Sequence, residues 1–315
     1  MQNQTGLNRR RFLQVAGCAA AGSMIGSKAE SFEETEELLI IDCHAHIYGT
    51  DEKTYPTISN PYRPPAGKGT VAHLKQEMAA AGVKHVTAIQ TSTYYRFDNR
   101  FTVDSARANK TFMVGICTLD PDDPHSPTLL EQYANDYNVS GMRSIPAKSG
   151  RLDDPGVYKL WAKAEELGIV INALVSRDKR AEVEVLASRH PKLRVVIDHC
   201  LNLKAGPNLK PTLTDMLALA NLPNVHAKLT FIPTGTAEEY PCRDMHDSCH
   251  AVIEAFGPDR CIWGSDFPCE LWCPKMSYAQ NLRIFTHERG LDAPAKKAIL
   301  GETAKGLYLR RASQG

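Results

Sequence analysis

The chain has almost no net charge: 37 basic and 36 acidic side chains leave +1 over 315 residues. Nucleic-acid binding needs a basic patch that displaces counterions, and this balance provides none. Beyond residue 29 no apolar run is long enough to cross a bilayer. There is no glycine-rich nucleotide loop, internal repeat or linker that would mark a second domain. Cysteine is present nine times, yet no two stand in the C-x2-C spacing common in zinc fingers. With 43% hydrophobic and 23% charged residues, the composition is that of a globular protein. It excludes a disordered tail, a collagen-like fibre and a small disulfide scaffold.

Residues 1–29 read as a segment apart. Asn8-Arg9-Arg10-Arg11-Phe12-Leu13-Gln14 sets an arginine pair before Phe-Leu, and a mildly apolar Gly/Ala-rich stretch follows. Ser27-Lys28-Ala29 offers small residues at a cleavage site, and no acid occurs before Glu30. This is the pattern of a twin-arginine export signal. It implies passage through the twin-arginine translocase, a periplasmic location and no stable membrane insertion once the signal is removed. Val15-Ala16-Gly17-Cys18 resembles a lipidation box but lies too close to the arginines to leave an apolar region before it. The mature chain, 30–315, opens on an acidic stretch. It keeps eight cysteines, which either pair in an oxidising compartment or stay as buried thiols.

From residue 38 onward, β-rich apolar runs alternate with helical periodicity. The runs fall at 38–46, 85–92, 111–119, 139–145, 169–176, 194–201, 224–232 and 260–267. Between them, Val71, Leu74, Met78 and Ala81 share one helical face, as do Leu160, Ala164 and Leu167. Strands alternating with helices imply parallel pairing and right-handed crossovers. Eight such units without a nucleotide loop predict a single-domain α/β fold, the (β/α)8 TIM barrel. The connection at 46–69 is too long for a simple turn and belongs on the active-site face.

A barrel of this kind places its reactive groups at the carboxyl ends of its strands. Strand one ends Asp42-Cys43-His44-Ala45-His46, where alternation puts Asp42, His44 and His46 on one face. Strand six ends Asp198-His199, with His199 as a third imidazole and Asp198 on the opposite face. Strand eight ends Gly264-Ser265-Asp266, offering a carboxylate that can bind metal or take a proton from water. Arg143 closes strand four as a partner for a carboxylate or oxyanion. Lys228, on strand seven, is a further candidate for an anionic substrate, and Asn172 stands on strand five. Tyr48, Tyr55, Tyr62, Tyr94 and Tyr95 are candidates for stacking on a planar ring.

Asp42-Cys43-His44-Ala45-His46, Asp198-His199-Cys200 and Trp263-Gly264-Ser265-Asp266-Phe267-Pro268, in this order, resemble the amidohydrolase-related barrels. Within them the chain is most similar to the 2-pyrone-4,6-dicarboxylate lactonase branch, on Tyr55-Pro56, Tyr62-Arg63-Pro64-Pro65, Gln90-Thr91-Ser92, Asp98-Asn99-Arg100 and Gly141-Met142-Arg143. Many metal hydrolases and decarboxylases of the superfamily carry a histidine at the end of strand five. This chain has none there, and no lysine or glutamate closes strand four to bridge two metals. His44, His46 and Asp266 remain a ligand set for one zinc ion. The resemblance also implies that the lactonases can work without metal, the histidines then polarising the carbonyl directly.

The expected activity is hydrolysis of a small carboxylated lactone or cyclic ester. Asp266 would act as general base, His44, His46 and His199 would stabilise the oxyanion, and Arg143, Arg100 and Lys228 would hold carboxylates. The rivals are a metal-dependent non-oxidative decarboxylase on the same fold and a non-catalytic exported binding barrel.

Overall fold

The computed structural model describes residues 37–309. The export signal expected at 1–29 lies outside the described residues, as does most of the acidic stretch after it.

The expected barrel is present. Its strands are β1 (Ile41–His46), β2 (His85–Ile89), β3 (Met113–Thr118), β4 (Val139–Ser144), β5 (Val170–Ala173), β6 (Val195–Ile197), β7 (Val225–Lys228) and β8 (Cys261–Ile262). They pair in sequence order, every pair parallel. β8 meets β1 through Cys43 N–H to Trp263 O at 3.1 Å and His46 N–H to Phe267 O at 2.8 Å. Those bonds satisfy the backbone groups that an open edge would leave bare.

The helices follow from local signals. Val71–Ala81 starts where Thr70 Oγ1 accepts from His73 N–H and stops at Gly82, whose φ of 74° suits a residue without Cβ. Pro155–Leu167 is capped by Asp154 and ends at Gly168, φ 65°. Their inward residues, among them Leu74, Met78, Leu160 and Trp161, pack on the outer side of the strands.

The barrel interior is divided by height. Ile41, Cys43, Ile89, Val114, Ile116, Val170, Val196 and Ile262 fill its lower part, and Ala304, Leu307 and Tyr308 of the last helix join that cluster. Above it the inward positions turn polar: Asn172, Lys228, Asp198 and Arg143 are all buried. An apolar plug below and buried charge above define a catalytic end at the strands' carboxyl termini.

The strands are shorter than the apolar runs suggest, because their last residues leave the sheet to build this end. The clearest case is β6. After Ile197 the chain places His199, Cys200, Leu201 and Asn202 at φ of 51°, 48°, 62° and 56°. Four consecutive left-handed residues without glycine are costly and cannot continue a strand.

The eight cysteines among the described residues are free and buried.

Candidate active site

A β-bulge builds the first pair of histidines. The pairing of β1 with β2 slips between Asp42 and Ala45. Ile41 and Cys43 pack inside the barrel, and past the slip His44 and His46 also turn inward while Ala45 packs outside. Asp42 therefore does not share their face, contrary to simple alternation. Its buried carboxylate accepts from Ser265 N–H (2.9 Å), Ser265 Oγ (2.6 Å), Tyr278 OH (2.9 Å) and His44 N–H (3.0 Å). It clamps β1 to the turn after β8, which carries Asp266 at φ 56°. Gly264 is needed beside this clamp, since a Cβ there would sit 2.7 Å from His44 Cβ and 2.9 Å from Thr230 Cγ2.

His44, His46 and Asp266 converge. His44 Nε2 lies 3.3 Å from His46 Nε2 and 3.4 Å from Asp266 Oδ1. His46 Nε2 lies 3.7 Å from the same oxygen. His199 joins from the β6 turn, its ring centroid 4.7 Å from that of His44. His44, His199 and Asp266 each bring one ligand atom within 4.8 Å of the others.

Hydrogen bonds fix what these nitrogens carry. His46 Nδ1 is 3.1 Å from Ile89 O, a pure acceptor, so Nδ1 holds the proton and Nε2 a lone pair. Arg143 Nη2, a pure donor, is 2.8 Å from His44 Nε2, which is therefore also an acceptor. Burial, together with nearby positive charge, lowers both imidazoles well below the usual histidine range and keeps them neutral. Two lone pairs and a carboxylate oxygen thus face one another, and Asp266 Oδ1 has no hydrogen-bond partner. Three acceptors in close array suit a cation. A tetrahedral zinc shell with bonds of about 2.0–2.1 Å spaces its ligands about 3.3–3.4 Å apart. The donor set and its spacing fit one divalent ion.

Burial pushes the Asp266 carboxyl up to about 7; Asp198 and Asp42 add to the rise, while Arg143 and Lys228 oppose it. A carboxyl poised there can take and return a proton near neutral pH. Burial lowers His199 to about 4, so it too is neutral; its Nδ1 pairs with Thr230 Oγ1 at 2.9 Å.

Beneath these groups lies a buried ionic lattice. Arg143 Nε donates to Asp198 Oδ2 at 3.1 Å, and Lys228 Nζ lies 2.8 Å from Asp198 Oδ1. Lys228 Nζ and Tyr308 OH each donate to Asn172 Oδ1 at 2.8 Å. Burial alone would raise Asp198, but Lys228, Arg143 and His199 outweigh it and hold its carboxyl at about 2. Two expectations are corrected here. Asp198 points inward with Val196, as alternation along β6 dictates, and the left-handed turn brings His199 to the site. Lys228 has no exposed surface and is committed to Asp198 and Asn172, so it cannot touch a substrate directly.

The cavity above has a volume of about 370 Å³. His46, Arg143, His199 and Asp266 line it, with Lys204 and Trp272. Arg100 does not: it is exposed and its guanidinium binds Asp98 at 2.6–3.0 Å. The loop tyrosines are also elsewhere. Tyr48, Tyr94 and Tyr95 are buried in a cluster of their own with Tyr55 and Phe101 against it, and Tyr62 stands by Trp272 at 5.1 Å between centroids. Trp272, 5.4 Å from His46 and bonded through Nε1 to Tyr48 OH, is the aromatic wall. Its place four residues after Pro268 at the β8 end was the available sequence signal. Lys204 is held by backbone packing: Ala205 N–H donates to Gly235 O at 2.8 Å, and any Cβ on Gly235 would run into Leu203 O.

The amidohydrolase family model matches residues 41–310. An L-fucono-1,5-lactonase of Burkholderia ambifaria is 27% identical over 199 residues, 62% of this chain and 68% of that protein. A 4-sulfomuconolactone hydrolase of Rhizobium radiobacter is 25% identical over 236 residues, 72% and 75% of the two chains. A "probable 2-pyrone-4,6-dicarboxylic acid hydrolase" of Acinetobacter baumannii with bound citric acid superposes with a TM-score of 0.74 at 18% identity, covering 86% of this chain and 99% of that one. An amidohydrolase of Burkholderia multivorans with bound zinc does so with a TM-score of 0.69 at 24% identity, over 86% and 99%.

Proposed function

The chain belongs to the amidohydrolase family, and from that premise we propose that it hydrolyses a small anionic lactone. The observation that carries the reading is Asp266. It is buried with a carboxyl near pH 7, lacks a hydrogen-bond partner on Oδ1 and lines a cavity with cationic walls. Two curated relatives are lactone hydrolases, one acting on a sulfonated lactone.

In the proposed cycle the lactone carbonyl sits over His46, His199 and Asp266, which line the cavity. Asp266 takes a proton as water adds to the carbonyl carbon. The ring ester C–O bond then breaks, and the leaving oxygen recovers the proton from Asp266. The product is the open hydroxy acid, and no other reactant is consumed. Oxyanion stabilisation differs from the sequence expectation. Neutral His44 and His46 present lone pairs, so they have no proton to offer a carbonyl oxygen. The donors are the Arg143 guanidinium and, when Thr230 donates to its Nδ1, the Nε2–H of His199. A divalent ion held by His44, His46 and Asp266, with His199 nearby, would supply Lewis-acid polarisation of the same oxygen. Lys204, in place of Arg100 and Lys228, takes the substrate's carboxylate or sulfonate. We further propose that the enzyme acts in the periplasm, on the strength of its arginine-pair leader.

A lactone panel followed by pH-stat tests this reading. It should contain neutral sugar lactones and carboxylated or sulfonated ones, assayed with and without added zinc. Turnover of anionic lactones, lost in Asp266→Asn, is the expected result. Carbon dioxide release from an aromatic acid would instead favour the decarboxylase. Binding without turnover would favour the non-catalytic barrel.

A further inference from the structure

The same nitrogen that would ligate a metal is already engaged. Arg143 Nη2 donates to His44 Nε2 at 2.8 Å, and that imidazole has its only other ring nitrogen 4.0 Å from Asp198 Oδ1. A lone pair serves one partner at this range: a zinc–nitrogen bond of about 2.0–2.1 Å and the guanidinium hydrogen bond claim the same direction. Charge sharpens the conflict, since a divalent cation would stand beside a guanidinium with little water between them; Arg143 is 4% exposed and His44 is fully buried. Arg143 is also not loosely placed. Its Nε limb is bonded to Asp198, and Asp198 is anchored by Lys228.

We propose that Arg143 is a built-in competitor for the metal position. Its Nη limb neutralises the convergent acceptors of His44, His46 and Asp266 when no ion is bound, and a divalent cation enters only as that limb leaves His44. The Nε limb can stay on Asp198 while this happens. Metal affinity in this chain is therefore set by an arginine that is not a ligand. The Asp198–Lys228 pair acts as a positioning device behind it, because it fixes the base of the guanidinium and lets only its tip move.

The inference stands apart from the identity of the substrate, because its readout is zinc binding. The test compares the zinc affinity of the chelator-stripped wild-type protein with that of two variants, by competition against a zinc-buffering chelator. Arg143→Met removes the guanidinium altogether. Arg143→Gln keeps an N–H at the position of Nε for Asp198 and deletes only the limb that reaches His44, so it guards against misfolding from an unpaired Asp198. Both variants are expected to bind zinc at least about tenfold more tightly than wild type, a difference of about 1.4 kcal/mol. Equal or weaker binding by a variant with wild-type circular dichroism would overturn the proposal. A crystal structure of the zinc-equilibrated wild-type protein gives a second, independent decision. Arg143 turned away from a His44-bound ion supports the competition. An ion on His44 Nε2 with the guanidinium still in place contradicts it.

Discussion

Lys228 and Asp198 form an ion pair 2.8 Å long in which neither side chain has exposed surface. The pair lies between the apolar plug of the barrel and the histidines of the site, and it holds the Asp198 carboxyl at about 2 against the pull of burial. Such a pair adds little stability compared with apolar packing, but breaking it leaves a charge stranded. Its value here is positional, since Asp198 in turn fixes Arg143.

Lys228→Met should destabilise the protein by up to about 3–5 kcal/mol, because the buried Asp198 loses the nearer of its two cationic partners and keeps only Arg143. The double variant Lys228→Met/Asp198→Asn should lose less than the sum of the two single losses, because either change alone already breaks the pair. Urea denaturation of the two single variants and the double variant measures the coupling. Additive losses would show that the two charges do not support each other.

Asp266 makes a pH-dependent trade between stability and activity. Its carboxyl stands at about 7 in the folded protein against 3.8 for an ordinary aspartate. Between those values the folded chain holds a proton that the unfolded chain has lost, so this group's contribution is full below pH about 4 and is lost as pH rises through about 7. In metal-free protein, Asp266→Asn should therefore raise Tm at pH 8 and confer a shrinking advantage toward pH 4. The wild-type kcat/KM should rise with pH through about 7 as the base ionises. A Tm difference that does not vary with pH would contradict the assigned burial cost.

Lys204 and Arg100 separate the observed cavity from the expected one. Lys204→Ala should raise KM for an anionic lactone about tenfold with little change in kcat, the loss of one charge-assisted contact. The same variant should leave KM for a neutral lactone unchanged. Arg100→Ala should leave both constants alone, because its guanidinium belongs to Asp98 outside the cavity. Equal effects of Lys204→Ala on neutral and anionic substrates would remove the charge argument.

The proposed export signal is testable without the rest of the chain's chemistry. Replacing both Arg9 and Arg10 with lysine should retain the protein in the cytoplasm, as seen by cell fractionation. Periplasmic recovery of that variant would reject the twin-arginine reading.

The barrel was legible because apolar runs and helical periodicity alternate from residue 38 onward, and periodicity survives uncertainty at element ends. The site was legible only in part. His44, His46, His199, Arg143 and Asp266 stand at strand ends, where the fold concentrates chemistry, and the structure brings them together. Asp42 and Asp198 were assigned to the wrong faces for opposite reasons. A bulge after Asp42 breaks alternation, whereas Asp198 obeys it and the left-handed turn behind it delivers His199. Neither a bulge nor a run of left-handed residues without glycine has a strong local signature. Lys228 shows a different limit: alternation places it inside the barrel but says nothing of its height. Arg100 was drawn to the site by its neighbourhood in the chain, and Lys204 was missed because a loop lysine looks like any solvated one until Gly235 packs beneath it.

The most direct test of the central claim is hydrolysis of an anionic lactone in H2(18)O, with the product examined by mass spectrometry. Attack of Asp266-activated water on the carbonyl predicts one heavy oxygen in the carboxylate of the hydroxy acid and none in its hydroxyl. Label in the hydroxyl, loss of carbon dioxide, or no turnover of any lactone would contradict the account.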